Sequence, residues 1–369
     1  MVDAMSRTLA IAGALTALML LAGCTAGGGP DRPRRTSVPE PTGLTRGESA
    51  PTGTPRDVLT GLDAPWSVVL HDDVVLLSER DSGAVLEMTA DGTRTVGTVP
   101  GVRHGGEGGL LGLAVRDDDL FVYSTATDGN RIERFPLRGG PGALALGTPT
   151  TILDGLPANT FHDGGRIAFG PDGMLFASVG DAGVPTDAQD RSSLAGKILR
   201  MTPDGDVPMD NPFDGSLVWS LGHRNVQGLG WLADGRMVAA EFGQDDRDEL
   251  NVIEPGSNHG WPEVEGTGGT SRGFVDPVQE WATDDASPSG LAVIGDTVFV
   301  ANLRGAMVRG IPASDLGSSH EYFAGEYGRI RTVLAAPTGD ALWFVTNNTD
   351  GRGDPRAGDD RIVSVDLSR

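Results

Sequence analysis

The chain has 369 residues, with 29 Lys plus Arg against 51 Asp plus Glu and a formal net charge of −22. So acidic a body repels phosphate backbones, which argues against nucleic acid as a partner. A single cysteine, Cys24, excludes an intramolecular disulfide and a cysteine zinc site, so stability must come from core burial.

Taken in chain order, residues 1–24 read as a targeting segment. Arg7 precedes an apolar run, Leu9 to Ala22, that is too short and too rich in small residues for a membrane span. It ends in Leu21-Ala22-Gly23-Cys24, which resembles a bacterial lipobox. The expectation is therefore an extracytoplasmic protein held to the cell membrane by lipid on Cys24. Residues 25–55 are rich in Gly, Pro, Ser, Thr and Arg with almost no large apolar side chains. Such a stretch buries too little surface to offset its ordering entropy and predicts a flexible tether.

Residues 56–369 carry a repeat. Six runs of alternating β-branched, aromatic and small residues recur at roughly 45- to 60-residue intervals, the period of propeller blades. They are Val74–Glu79, Leu120–Thr125, Met174–Asp181, Arg236–Gly243, Thr297–Leu303 and Ala341–Asn348. Each is followed by a polar or glycine-rich loop and a second strand-like run: Ala84–Met88, Arg131–Leu137, Lys197–Met201, Glu249–Ile253, Met307–Ile311 and Arg361–Leu367. Amphipathic helices of ten or more residues are absent after the signal segment. Asp57–Leu62 is an extra strand candidate that would pair into the last blade and close the ring. The predicted fold is all-β, a six-bladed β-propeller. A β-sandwich would need shorter and more even strand spacing.

Propeller loops converge on one face, so chemistry is sought between strands. Phe161-His162-Asp163-Gly164-Gly165-Arg166 is followed by Gly180-Asp181-Ala182-Gly183 at the end of the next strand. A strand rising to the same face brings the Asp181 carboxylate beneath the His162 imidazole, where it fixes the tautomer of a general base. The alternative is a loop histidine that caps a turn. Gly222–Gly228 places Arg224 and Asn225, a cation and an amide donor, in one glycine-rich loop. Arg329 and Arg331 share one side of an extended strand and suit a ligand bearing carboxylates, or else a solvated face pairing with acids. The acidic loop Gln244–Glu249, followed by Gly256–Pro262, offers the carboxylate and carbonyl oxygens that calcium favours. Asp350–Asp360 also carries acids and glycines but reads equally as a mobile hairpin tip.

Together these segments resemble the glucose/sorbosone dehydrogenase family, the soluble aldose dehydrogenases that use pyrroloquinoline quinone (PQQ). The resemblance runs from about Leu62 to the C-terminus. It rests on Ala64-Pro65-Trp66, Gly106–Gly112, His162–Arg166, Ala188-Gln189-Asp190, Leu194–Ile198, Arg224–Gly228, Asn258–Pro262, Ser287–Gly290 and Arg329-Ile330-Arg331. It implies a six-bladed propeller that oxidises the anomeric hydroxyl of an aldose to a lactone, with PQQ and calcium, and passes electrons to an external acceptor. By that resemblance His162 is the general base and Asp181 the carboxylate that orients it. Arg224, Asn225, Arg329 and Arg331 contact the cofactor, and Glu249 and the backbone carbonyl of His259 hold calcium. Glu107 stands where relatives place glutamine, and Asp163 where asparagine commonly follows the histidine. Some relatives contact the quinone through lysine; the sole lysine, Lys197, falls in a strand, which leaves Arg304 as the substitute. Glu263-Val264-Glu265 follows the Gly-Trp-Pro turn, where an aromatic residue is common. A calcium-dependent lactonase and a non-catalytic propeller that has lost its cofactor are the rival readings.

Overall fold

The computed structural model describes residues 48–368. Cys24, the lipobox and most of the expected tether lie outside them. Strands dominate, and the helical elements among the described residues are two short 3-10 turns, Pro185–Gln189 and Thr270–Arg272.

Six antiparallel sheets follow one another along the chain. Their innermost strands are Pro65–His71, Leu110–Arg116, Ile167–Phe169, Val226–Trp231, Pro288–Ile294 and Ile330–Ala335. Each of these packs against the next, and the sixth against the first, so the ring closes. The hairpins expected from sequence are the two middle strands of each blade; the third blade, for example, pairs Leu175–Val179 with Lys197–Met201. The closing strand is Pro51–Thr60, which pairs antiparallel with Arg361–Leu367 as the outer edge of the sixth blade. It begins earlier than the expected Asp57, inside the stretch read as tether. Leu59 is its one buried residue and most of the others are exposed, which hides the strand from a composition-based reading.

The sheets pack face to face, so a middle strand is buried on both sides and reads as a continuous apolar run. Alternate residues then serve different blade boundaries. Val75 and Leu77 join the cluster against the sixth blade, with Trp343 and Val345. Val74 and Leu76 join the cluster against the second, with Leu120 and Val122. In total six buried clusters occupy the six boundaries between blades. Leu76 and Leu77 have no exposed surface, and each contributes about 1.5–3 kcal/mol by burial. This rigid ring fixes where the loops at its mouth meet.

Candidate active site

The loops that enter the innermost strands, and those that join second to third strands, meet at one end of the ring. They enclose a cavity of about 280 Å³. Trp66, His162, Arg224, Gln227, Arg329 and Arg331 line it from the innermost strands or their entry loops. Phe242, Gly243, Gln244, Leu303 and Arg304 line it from the joining loops, and Asp248 from the start of the strand Arg247–Ile253.

His162 opens the third blade in a left-handed conformation, φ 63°. That turn is possible because the chain beside it is glycine: a Cβ on Gly180 would stand 1.9 Å from the His162 carbonyl oxygen. The turn sets His162 Nδ1 2.7 Å from Asp181 Oδ1. Gly183 N–H donates to the same oxygen at 2.8 Å, and the indole Nε1–H of Trp261 donates to Asp181 Oδ2 at 2.8 Å. Burial pushes the Asp181 carboxyl up, but the hydrogen bonds from His162, Gly183 and Trp261 outweigh it and hold the group below its ordinary range. Asp181 therefore stays ionised and keeps the proton of His162 on Nδ1. His162 borders the cavity, and no described residue bonds its Nε2, so that nitrogen is available as a base.

The lining of the cavity is rich in cations. Five arginines line the cavity: 224, 304, 329, 331 and 352. Arg331 is held hardest, donating to Gln227 Oε1 at 2.8 Å and to Asn347 Oδ1 at 3.1 and 3.2 Å. Burial lowers its guanidinium to about 9, with Asp350 opposing the shift. Asp350 Oδ2 lies 3.0 Å from Arg329 Nη2 and 3.7 Å from Arg331 Nη2, fully buried between the two. Burial also lowers the Arg224 guanidinium, and its Nε is buried with no partner among the described residues.

Other expected residues take different places. Asn225, expected to touch a cofactor, does not line the cavity and is fully buried. Its Oδ1 accepts from Gly164 N–H at 3.0 Å and its Nδ2 donates to Glu107 Oε2 at 3.1 Å, so it braces the His162 loop. Glu107 does line the cavity, and its extra charge is met by that amide, by His162 N–H at 2.9 Å and by Arg352 at 3.5 Å. Arg304 sits at the rim, 59% exposed and paired with Asp284. Lys197 is fully buried, its Nζ donating to the carbonyls of Asp187, Ala188 and Ala195, which removes it from the cavity. Glu249 lies in a smaller neighbouring cavity with Glu241, His259 and Glu265. The His259 ring stacks on His223 at 4.7 Å, and its Nδ1 is buried without a partner among the described residues. Sequence reasoning missed Arg352, Asp350, Gln227 and Trp261 as parts of the site. Trp66 and Trp261 appeared only as family landmarks, and Asp350 and Arg352 fell in a stretch that reads equally as an acidic, glycine-bearing site or a mobile tip.

Comparison with known proteins gives the family. The family model described as glucose/sorbosone dehydrogenase matches residues 62–354. Quinoprotein glucose dehydrogenase B of Acinetobacter calcoaceticus is 32% identical over 251 residues, 57% of this chain and 52% of that protein. The aligned region thus spans about half of that relative's length. The aldose sugar dehydrogenase YliI of Escherichia coli strain K12 is 27% identical over 336 residues, 79% of this chain and 89% of that protein. Among solved structures, the PQQ-bound form of aldose sugar dehydrogenase from Streptomyces coelicolor is similar at a TM-score of 0.81 and 48% identity, covering 86% of this chain and 100% of that one. With the family model matching most of its length, the chain belongs to the glucose/sorbosone dehydrogenase family.

Proposed function

We propose that the protein oxidises the anomeric hydroxyl of aldose sugars to lactones with PQQ as cofactor, passing the electrons to an external acceptor. The observation that carries this reading is a free histidine Nε2, backed by a buried carboxylate, in a cavity that five arginines also line. PQQ bears three carboxylates, and the donor set fits such a group. Arg224 keeps an unspent, buried Nε, and Arg331 is a guanidinium that burial alone disfavours as a cation. Arg224, Arg329 and Arg331 would hold the cofactor, with Trp66 and Gln227 beside it. When bound, PQQ supplies the quinone that accepts hydride from C1 of the sugar.

The chain's own residues do the rest. His162 Nε2 takes the anomeric hydroxyl proton as the C1–H bond breaks, and Asp181 stabilises the imidazolium that forms. Trp66, Phe242 and Leu303 narrow the cavity and limit water. Glu107, the feature that favoured a cofactor-free binding module, is compensated by Asn225, His162 and Arg352, and a lactonase acting on neutral lactones has no use for the arginine wall.

Calcium belongs to the same proposal. Glu241 and Glu249 are cross-strand partners, both buried. Burial first, and for Glu249 the neighbouring Glu241 next, raises both carboxyls above their ordinary range, a cost that a bound cation relieves. Among the described residues no three His, Cys, Asp or Glu side chains form a metal cluster, so calcium here would draw on Glu249 and on backbone carbonyls such as that of His259. Lipid attachment at Cys24, with the enzyme outside the cytoplasm, completes the reading. The test is dye reduction across a panel of aldoses by protein reconstituted with PQQ and calcium, with the lactone product identified. Lactone hydrolysis without PQQ, or no turnover with any aldose, would overturn it.

A further inference from the structure

Asp181 has one oxygen for each task. Oδ1 takes His162 Nδ1 and Gly183 N–H, while Oδ2 takes the Trp261 indole N–H. The carboxylate cannot rotate without losing bonds at both ends, and the outer bond comes from a different blade. Trp261 lies in the long segment between the third and fourth strands of the fourth blade, whereas His162 and Asp181 belong to the third. We propose that Trp261 is a positioning residue for the catalytic base, acting through Asp181, an inference that rests on the dehydrogenase reading.

Trp261 is itself clamped. Its N–H donates to the Gly222 carbonyl at 3.0 Å, and its carbonyl accepts from Gln189 Nε2 at 2.7 Å. Gln189 and Asn258 exchange reciprocal side-chain hydrogen bonds at 3.0 and 2.7 Å. The turn that carries Gln189 is pinned from below by Lys197, whose Nζ donates to the Asp187 and Ala188 carbonyls at 2.8 and 3.0 Å. A part-buried run of contacts therefore leads from the chain's sole lysine through the turn that carries Gln189 to Trp261 and Asp181, with Asn258 bracing Gln189. On its other side, the Trp261 ring lies 5.6 Å beneath the Arg224 guanidinium. One side chain thus joins the base pair to an arginine assigned to the cofactor, which ties the position of the base to that of its partner in the reaction.

The test uses full-length protein loaded with PQQ and calcium. Trp261→Phe keeps a ring under Arg224 and removes the donor. It should lower kcat about tenfold, the order expected for a lost hydrogen bond to a charged group. The KM for sugar and the affinity for PQQ should stay within about twofold of wild type. Incorporating 3-benzothienylalanine at position 261 replaces N–H by sulfur in the same shape and should give the same loss, which separates the donor from packing. Because the effect runs through Asp181, Asp181→Ala combined with Trp261→Phe should be no slower than Asp181→Ala alone. A wild-type kcat in Trp261→Phe, or a double variant slowed by the product of the two single effects, would overturn the proposal. The His162 Nδ1 proton resonance gives a readout independent of turnover, and it should move in Trp261→Phe; an unmoved resonance also overturns the proposal. Failure of the dehydrogenase reading looks different: a wild type that reduces no dye with any aldose, while that resonance still moves.

Discussion

Asp350 is a carboxylate set between Arg329 and Arg331, two of the five arginines that line the cavity, and Asp350→Asn is the perturbation that exposes how their charge is balanced. The side chain is fully buried, within 3.0 Å of Arg329 and 3.7 Å of Arg331. Removing one partner of a buried ion pair costs about 3–5 kcal/mol. Arg329 retains 16% exposure and can be partly rehydrated, which puts the expected loss near the lower end, at about 3 kcal/mol. With an unfolding entropy of about 2.1 cal/mol/K per residue, a body of roughly 320 residues loses about 1.5 °C for each kcal/mol, so the cofactor-free variant should melt about 4–5 °C below wild type. The second half of the prediction has the opposite sign. The two guanidiniums left uncompensated favour an anionic ligand, so saturating PQQ should raise the melting temperature of Asp350→Asn by more than it raises that of wild type. Scanning calorimetry of both proteins, with and without PQQ, measures all four values. Equal melting points without cofactor, or an equal or smaller rise with it, would refute the reasoning.

Asp181 gives a pH signature. Because its folded-state value lies below the ordinary 3.8, it stabilises the fold above the unfolded value, and this contribution is lost as pH falls through the depressed folded value. The stability gap between wild type and Asp181→Asn should therefore shrink as pH falls below about 4 in urea unfolding; a gap that stays constant or widens below that pH contradicts it. Chelation should lower the melting temperature and added calcium restore it, and Glu249→Gln should abolish that response. No calcium-dependent shift in wild type would remove the metal from the account. Cys24→Ser should move the protein out of the membrane fraction or leave it unprocessed, and unchanged partitioning would show that no lipid is attached there.

The fold was legible because each blade repeats one local pattern. The second and third strands, buried on both faces, stand out as apolar runs, the second introduced by a turn such as Pro171-Asp172-Gly173. The edges were not. Pro51–Thr60 is exposed along most of its length, and its partner Arg361–Leu367 lies at the far end of the chain, so no local pattern marks where it begins. In the site, His162 and Asp181 could be paired from sequence because a single hairpin-like excursion separates them. Trp261 comes to Asp181 from 80 residues away and Asn225 to Glu107 from 118, and neither spacing has a meaning outside the closed ring. Asp350 and Arg352 were hidden for another reason. Gly, Asp and Arg in a row look the same whether a segment is a solvated tip or a buried counter-charge, and only the neighbouring arginines decide between them.

The most direct measurement of the central claim is a single-turnover experiment on protein loaded with PQQ and calcium. An aldose is mixed in without electron acceptor, and the reduction of bound cofactor is followed by its absorbance in wild type and in His162→Ala. Wild type should reduce its cofactor. His162→Ala should hold PQQ through the arginine wall yet reduce it roughly 10²–10⁴-fold more slowly, because the proton acceptor is gone. Equal reduction rates in the two proteins would contradict the assignment of His162 as the base, and a wild type that binds PQQ but is reduced by no aldose would contradict the proposed function.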